Sequence, residues 1–130
     1  MEILNNTIEG LTGSSYLYGM YVGCKSGRVK IKNNIIKDID NGTTRRGILL
    51  NVADSILISG NTIQNISATY GIYVGYSKYD TISNNRIKNN EGRFNTGIYL
   101  TTSDSCFINK DTVGNCGIGD LRPSDWIVDL

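Results

Sequence analysis

Carboxylates and guanidiniums gather at two places in the chain. Asp38, Asp40, Arg45 and Arg46 form one group and Glu91 and Arg93 the other, each just ahead of a glycine-led apolar segment bearing tyrosines. A guanidinium can pair with a carboxylate in two parallel hydrogen bonds, and a positioned carboxyl can give or take a proton. Such groups therefore suit binding of an acidic polysaccharide, or acid–base chemistry upon one. Solvated loop charge explains them without any ligand and is the preferred reading. A further set, Asp54, Lys78 and Asp104, recurs four residues after Leu50, Val74 and Leu100. If those positions stack in successive layers, the two carboxylates stand about 9.6 Å apart, near the upper end of the separation used by inverting glycosidases. Lys78 falls between them, so an exposed column of alternating charge accounts for the trio without catalysis.

The composition removes other chemistry. The chain has no histidine, which excludes a Ser-His-Asp or Cys-His nucleophilic unit, a histidine base and a mixed Cys/His zinc site. Cys24, Cys106 and Cys116 are too few for a disulfide scaffold; Cys24 and Cys106 take inward slots as small core residues, while the irregular surroundings of Cys116 assign it no such role. No acidic cluster has calcium-loop spacing, so no metal and no cofactor are expected. Thirteen basic residues against twelve acidic ones give no broad field, which argues against nucleic acid and an anionic membrane surface as partners. No apolar run approaches the ~20 residues of a membrane span, and the first residues lack the pattern of a signal peptide.

Internal repetition dominates the chain. The pattern I-x-x-N-x-I occurs at Ile3–Ile8, Ile31–Ile36, Ile58–Ile63 and Ile82–Ile87, with a degenerate copy at Ile108–Val113. Its key position recurs at Asn6, Asn34, Asn61, Asn85 and Asp111, at intervals of 28, 27, 24 and 26 residues. Glycine-led segments beginning at Gly19, Gly47, Gly71 and Gly97 follow in phase. Apolar residues alternate at period two, as in Ile48-x-Leu50 and Ile72-x-Val74, which is the spacing of short strands with one buried face. The arc from glycine strand to key position holds 11 or 12 residues, whereas the other arc varies from 10 to 13, as a rigid core with loops on one side requires.

A right-handed, single-stranded parallel β-helix of about four to five coils, about 26 residues each, satisfies these patterns together. The fold class is all-β, with coils over residues 1–116 and an irregular loop followed by a last strand or flap over 117–130. Ile3, Ile31, Ile58, Ile82 and Ile108 become one internal column, and Asn6, Asn34, Asn61 and Asn85 a hydrogen-bonded ladder. An ionised Asp111 accepts from Asn85 but cannot donate onward, so the ladder ends there.

The run N-N-x-I followed by G-I-Y-V/L resembles the β-helix repeat of the pectin-lyase-like superfamily, which holds pectate lyases, phage tailspikes and the accessory protein for copper delivery to nitrous oxide reductase. The resemblance covers Ile3 to about Val113 and implies a fold rather than an activity. No signature of one enzyme family is visible, so no catalytic residue is assigned. A metal-delivery role sits poorly with the absence of histidine and the presence of two methionines.

Alternation points Tyr21, Leu49, Tyr73 and Tyr99 outward, as a stripe that would fill the strand surface, meet another chain or stack on sugar. The candidate substrate-binding residues are accordingly Tyr21, Tyr70, Tyr73, Tyr99, Arg45, Arg46 and Arg93. The pattern is in register from Ile3, with nothing ahead of it to cover the first coil, so a homo-oligomer, trimer ahead of dimer, or a place within a longer β-helical protein is expected. The expected role is a structural shaft of an extracellular or virion surface protein of tailspike type, with a polysaccharide-contacting face. The alternative is a polysaccharide lyase or glycoside hydrolase acting on a bacterial glycan.

Overall fold

A computed structural model describes residues 1–23, 27–66, 70–88, 96–114, 117–119 and 126–129. Three short strands make each coil. The first three are β1 (Glu2–Leu4), β2 (Thr7–Thr12) and β3 (Tyr16–Val22), followed by β4 (Lys30–Lys32), β5 (Ile35–Asp40) and β6 (Thr44–Asn51). The next are β7 (Leu57–Ser59), β8 (Thr62–Ile66) and β9 (Tyr70–Gly75), then β10 (Thr81–Ser83), β11 (Arg86–Lys88) and β12 (Thr96–Thr101). Finally come β13 (Cys106–Asn109), β14 (Thr112–Gly114), β15 (Gly117–Gly119) and β16 (Trp126–Asp129). About four turns of this solenoid, about 26 residues each, carry the chain from β1 to β13.

Each strand pairs in parallel with its counterparts one coil before and after, which gives three sheets. The first runs β1-β4-β7-β10-β13-β16, the second β2-β5-β8-β11-β14 and the third β3-β6-β9-β12-β15. Register follows the repeat: Ile3, Ile31, Ile58, Ile82 and Ile108 are mutual partners, as are Ile8, Ile36, Ile63, Ile87 and Val113. Met20, Ile48, Ile72 and Ile98 make a third internal column. The central isoleucines of all three columns are fully buried, and each contributes about 1.5–3 kcal/mol by leaving water.

Two adjacent residues build the bend between the first and second sheets. The first is left-handed: Asn5, Asn33, Asn84 and Lys110 have φ of 58°, 56°, 55° and 56°, and Gly60 has 67°. Asparagine and glycine tolerate that region best, which explains the recurring N-N and G-N pairs. The second residue supplies the ladder. Asn6 Nδ2 donates to Asn34 Oδ1 (3.0 Å), Asn34 Nδ2 to Asn61 Oδ1 (3.0 Å), Asn61 Nδ2 to Asn85 Oδ1 (2.9 Å) and Asn85 Nδ2 to Asp111 Oδ1 (2.8 Å). The backbone N–H of each asparagine also donates to the same oxygen. The oxygens of Asn34, Asn61, Asn85 and Asp111 thus each serve two donors from the coil before, at a bend that is exposed at Asn6 and buried from Asn34 onward.

Glycine at the start of the third-sheet segment has a different cause. A Cβ on Gly47 would stand 2.6 Å from Gly71 O and 2.7 Å from Ile63 Cγ2, so only hydrogen fits where the chain bends into the third sheet. This bend also breaks the alternation, and Arg46 emerges on the outer face although it is two residues from inward-facing Ile48.

Asn61→Leu removes an acceptor of two bonds from Asn34 and the donor to Asn85 Oδ1 and Ile31 O. With each orphaned buried group costing about 1–3 kcal/mol, the variant is expected to lose about 3 kcal/mol or more. Asn51→Leu, at the half-buried end of β6, is expected to lose less than about 1 kcal/mol. Urea unfolding of both variants checks this, and equal losses would show that the ladder carries no special share of the stability.

Candidate functional site

The outer face of the third sheet collects most of the residues that could bind a ligand. Tyr18, Arg46 and Tyr70 are register partners along one row, and Tyr21, Leu49, Tyr73 and Tyr99 along another. The Arg46 guanidinium lies 4.0 Å from the centroid of the Tyr73 ring and 5.6 Å from those of Tyr18 and Tyr70. Tyr99 packs on Tyr70 at 4.6 Å and on Tyr73 at 5.3 Å. Among the described residues no carboxylate comes within ion-pair distance of Arg46, and its Nε is buried with no hydrogen-bond partner. Among the described residues, then, this half-buried cation is packed on aromatic faces and makes no ion pair.

The stripe is less open than alternation implies. Leu49 points outward in register but is only 4% exposed, and Tyr70, Tyr73 and Tyr99 are half-buried in one another's company; Tyr21 remains 57% exposed. The large rings on this face cover the leucine and each other.

Arg45 does not join Arg46. Its Nη1 lies 3.3 Å from Asp40 Oδ1, an exposed pair of small energetic weight. Asp38 is left-handed, with φ 56°, and accepts a hydrogen bond from Asn65 Nδ2 at 3.1 Å, so it serves the corner between the second and third sheets. Lys78 stands between Asp54 and Asp104: its backbone N–H donates to Asp54 Oδ1 (2.9 Å), and its Nζ lies 3.5 Å from Asp104 Oδ2. Glu91, Arg93, Cys24 and Cys116 lie outside the described residues.

Sequence reasoning missed a buried polar seam at the corner between the third and first sheets. Asp80 occupies the inward slot held by Ile56 one coil earlier and Cys106 one coil later, and it is 1% exposed. Its Oδ1 accepts from Ile56 N–H (2.9 Å), while Oδ2 has no partner. Burial, augmented by the nearby charge of Asp54 and opposed by the Ile56 N–H, pushes its carboxyl up to about 7. Beside it, Ser77 Oγ accepts from Ala53 N–H (3.1 Å) and Ser103 Oγ from Ser77 N–H (3.3 Å), a second, shorter ladder. The offset of Asp80 two residues before Ile82 matches that of Ile56 before Ile58, the one signal from which its burial was readable.

Soft donors do not converge. Cys106 is buried, and burial pushes its thiol up to about 11. Met20 sits in the apolar column beside Ile48. Among the described residues there is no group of three or more His, Cys, Asp and Glu that could hold a metal ion.

Residues 2–119 match the family model described as "Periplasmic copper-binding protein (NosD)". No curated protein and no solved structure matches.

The Asp80 carboxyl makes stability depend on pH. Its folded-state pKa near 7 lies above the ordinary 3.8, so its stabilising share is complete below about pH 4 and is lost as pH rises through 7. Asp111, also pushed up by burial, acts in the same direction. The protein is expected to melt at a lower temperature at pH 8 than at pH 5, and Asp80→Asn, which keeps the acceptor for Ile56 N–H, to flatten that slope and melt above the wild type at pH 8. Calorimetry across this range decides it; identical pH profiles would contradict the assignment.

Proposed function

The chain belongs to the family of the periplasmic copper-binding protein NosD, and we propose that it is a β-helical binding module whose tyrosine–arginine face takes an acidic polysaccharide. One observation carries this reading: Arg46 is fixed among Tyr18, Tyr70 and Tyr73 with no carboxylate upon it among the described residues. A guanidinium so placed has its Nε withdrawn from water without a partner, and a uronate carboxylate would give it the paired hydrogen bonds that the described residues do not. The exposed ring of Tyr21, in the neighbouring coil, offers an apolar face for the sugar ring. Since the net charge is only +1, attraction rests on this local cation and not on a broad field.

The copper in the family's description finds no matching donor set in the described residues. Histidine is absent, Cys106 is a buried thiol held protonated, and Met20 is part of the core. Binding is favoured over cleavage because none of the candidate acids among the described residues stands at the Arg46 guanidinium: Asp40 lies beside Arg45, Asp38 accepts from Asn65, and Asp54 and Asp104 flank Lys78 at a different corner. The family's periplasmic description supports an exported protein over a virion shaft.

Polygalacturonate and its fully methyl-esterified form are the discriminating probes. Polygalacturonate is expected to bind at low ionic strength and to weaken with salt, the ester to bind poorly. Arg46→Met is expected to lower affinity about tenfold, equivalent to about 1.4 kcal/mol, while Arg45→Met changes it little. Titration calorimetry reads these differences. Equal binding of acid and ester, or an Arg46→Met variant that binds like the wild type, would overturn the proposal, and new unsaturated or reducing ends would favour the enzyme reading.

A further inference from the structure

We propose that the corner leading from the third sheet to the first is a second carbohydrate site, built on Tyr76 and Tyr79 and suited to a neutral pyranose. Ser77 and Asp80 turn inward and are buried, whereas Tyr76, Lys78 and Tyr79 face out, with the two tyrosines 60% and 64% exposed.

Both tyrosines stand in the left-handed region, at φ 54° and 59°. Their stacked equivalents Val52, Thr102, Ser55 and Ser105 are left-handed too, so the conformation belongs to the corner; elsewhere such positions are filled mostly by asparagine, aspartate or glycine, which the region tolerates best. A bulky ring costs stability there and, being exposed, recovers little by burial. What sets Tyr76 and Tyr79 apart from these equivalents is a large ring left in solvent, and it is the exposed ring, not the φ, that points to a role outside the folded core.

The surroundings define the ligand. The stacked neighbours of Tyr76 are Val52 and Thr102, and those of Tyr79 are Ser55 and Ser105, all smaller, and the two rings stay largely exposed beside them. Lys78 lies between the two tyrosines in the chain, with Asp54 Oδ1 accepting from its backbone N–H and Asp104 Oδ2 near its Nζ. Two carboxylates against one ammonium give the corner a local charge of −1, which disfavours an anionic ligand and offers acceptors to hydroxyls. Flat rings flanked by hydroxyl acceptors match a neutral sugar, with its C–H face on tyrosine and its hydroxyls directed to Asp54 and Asp104. A protein partner fits less well: two rings separated by a charged lysine fall far short of the ~800 Å² that a stable interface buries on each side.

The site shares no residue with the Arg46 face, so each can fail without the other. Dextran and galactomannan serve as probes in affinity gel electrophoresis, with melting temperature measured on the same samples. At least one probe is expected to retard the protein, and Tyr76→Asn/Tyr79→Asn to weaken that binding at least tenfold while melting at or above the wild-type temperature. Arg46→Met is expected to keep it. Absence of retardation by both probes, undiminished binding by the double variant, or loss of neutral binding in Arg46→Met would overturn the proposal. A double variant that melts well below the wild type would contradict the claim that the rings are kept at the backbone's expense.

Discussion

A buried bend in a stacked coil leaves polar groups that neither water nor strand pairing can satisfy, and the carboxamide of asparagine meets that constraint by donating and accepting along one line. In each central coil the oxygen takes two donors from the coil before, while Nδ2 reaches the next coil's oxygen and a first-sheet carbonyl, Ile3 O for Asn34, Ile31 O for Asn61 and Ile58 O for Asn85. With about 0.5–1.5 kcal/mol net for each bond, the ladder sets the register that the isoleucine columns then fill. Asp111 shows the limit of the device. Its Oδ1 accepts like an asparagine's, but its Oδ2 is buried with no partner, and burial pushes the carboxyl up.

Once register is set, three corners with different chemistry follow. The ladder corner is closed and buried. The corner between the second and third sheets bends at a glycine that tolerates no Cβ, and in doing so sends Arg46 outward onto the tyrosines. The corner between the third and first sheets carries a polar interior, Ser77, Asp80 and Ser103, beneath an aromatic exterior. The candidate binding surfaces thus lie on the outer face of the third sheet and at the corner that follows it, while the inward strand faces hold register.

The columns and the ladder were legible because they rest on identical residues at a fixed period: five isoleucines from Ile3 to Ile108 and four asparagines ending at Asp111 admit one stacking. What depends on departures from alternation was not legible. Arg46 shares parity with Ile48, and only the bend at Gly47 separates their faces. Leu49 reads as outward, and is so in register, but only side chains from adjacent coils determine that it is covered. Asp80 sits in a stretch, Lys78-Tyr79-Asp80-Thr81, that reads as a polar turn, and its burial follows from the inward slot it inherits from Ile56. Tyr76 and Tyr79 follow Tyr70 and Tyr73 so closely that sequence proximity does not distinguish the strand from the corner that ends it.

Native-state hydrogen exchange tests the central claim most directly. The backbone amides of Asn34, Asn61 and Asn85 each donate to the carboxamide or carboxylate oxygen of the next coil at 2.8–2.9 Å. If the ladder holds the coils in register, these amides exchange only through global unfolding and rank with those of Ile58 and Ile82 among the slowest in the molecule. Exchange of these three amides by local opening, much faster than at Ile58 and Ile82 while the strand amides stay protected, would show that the stack of isoleucines sustains the solenoid without the ladder.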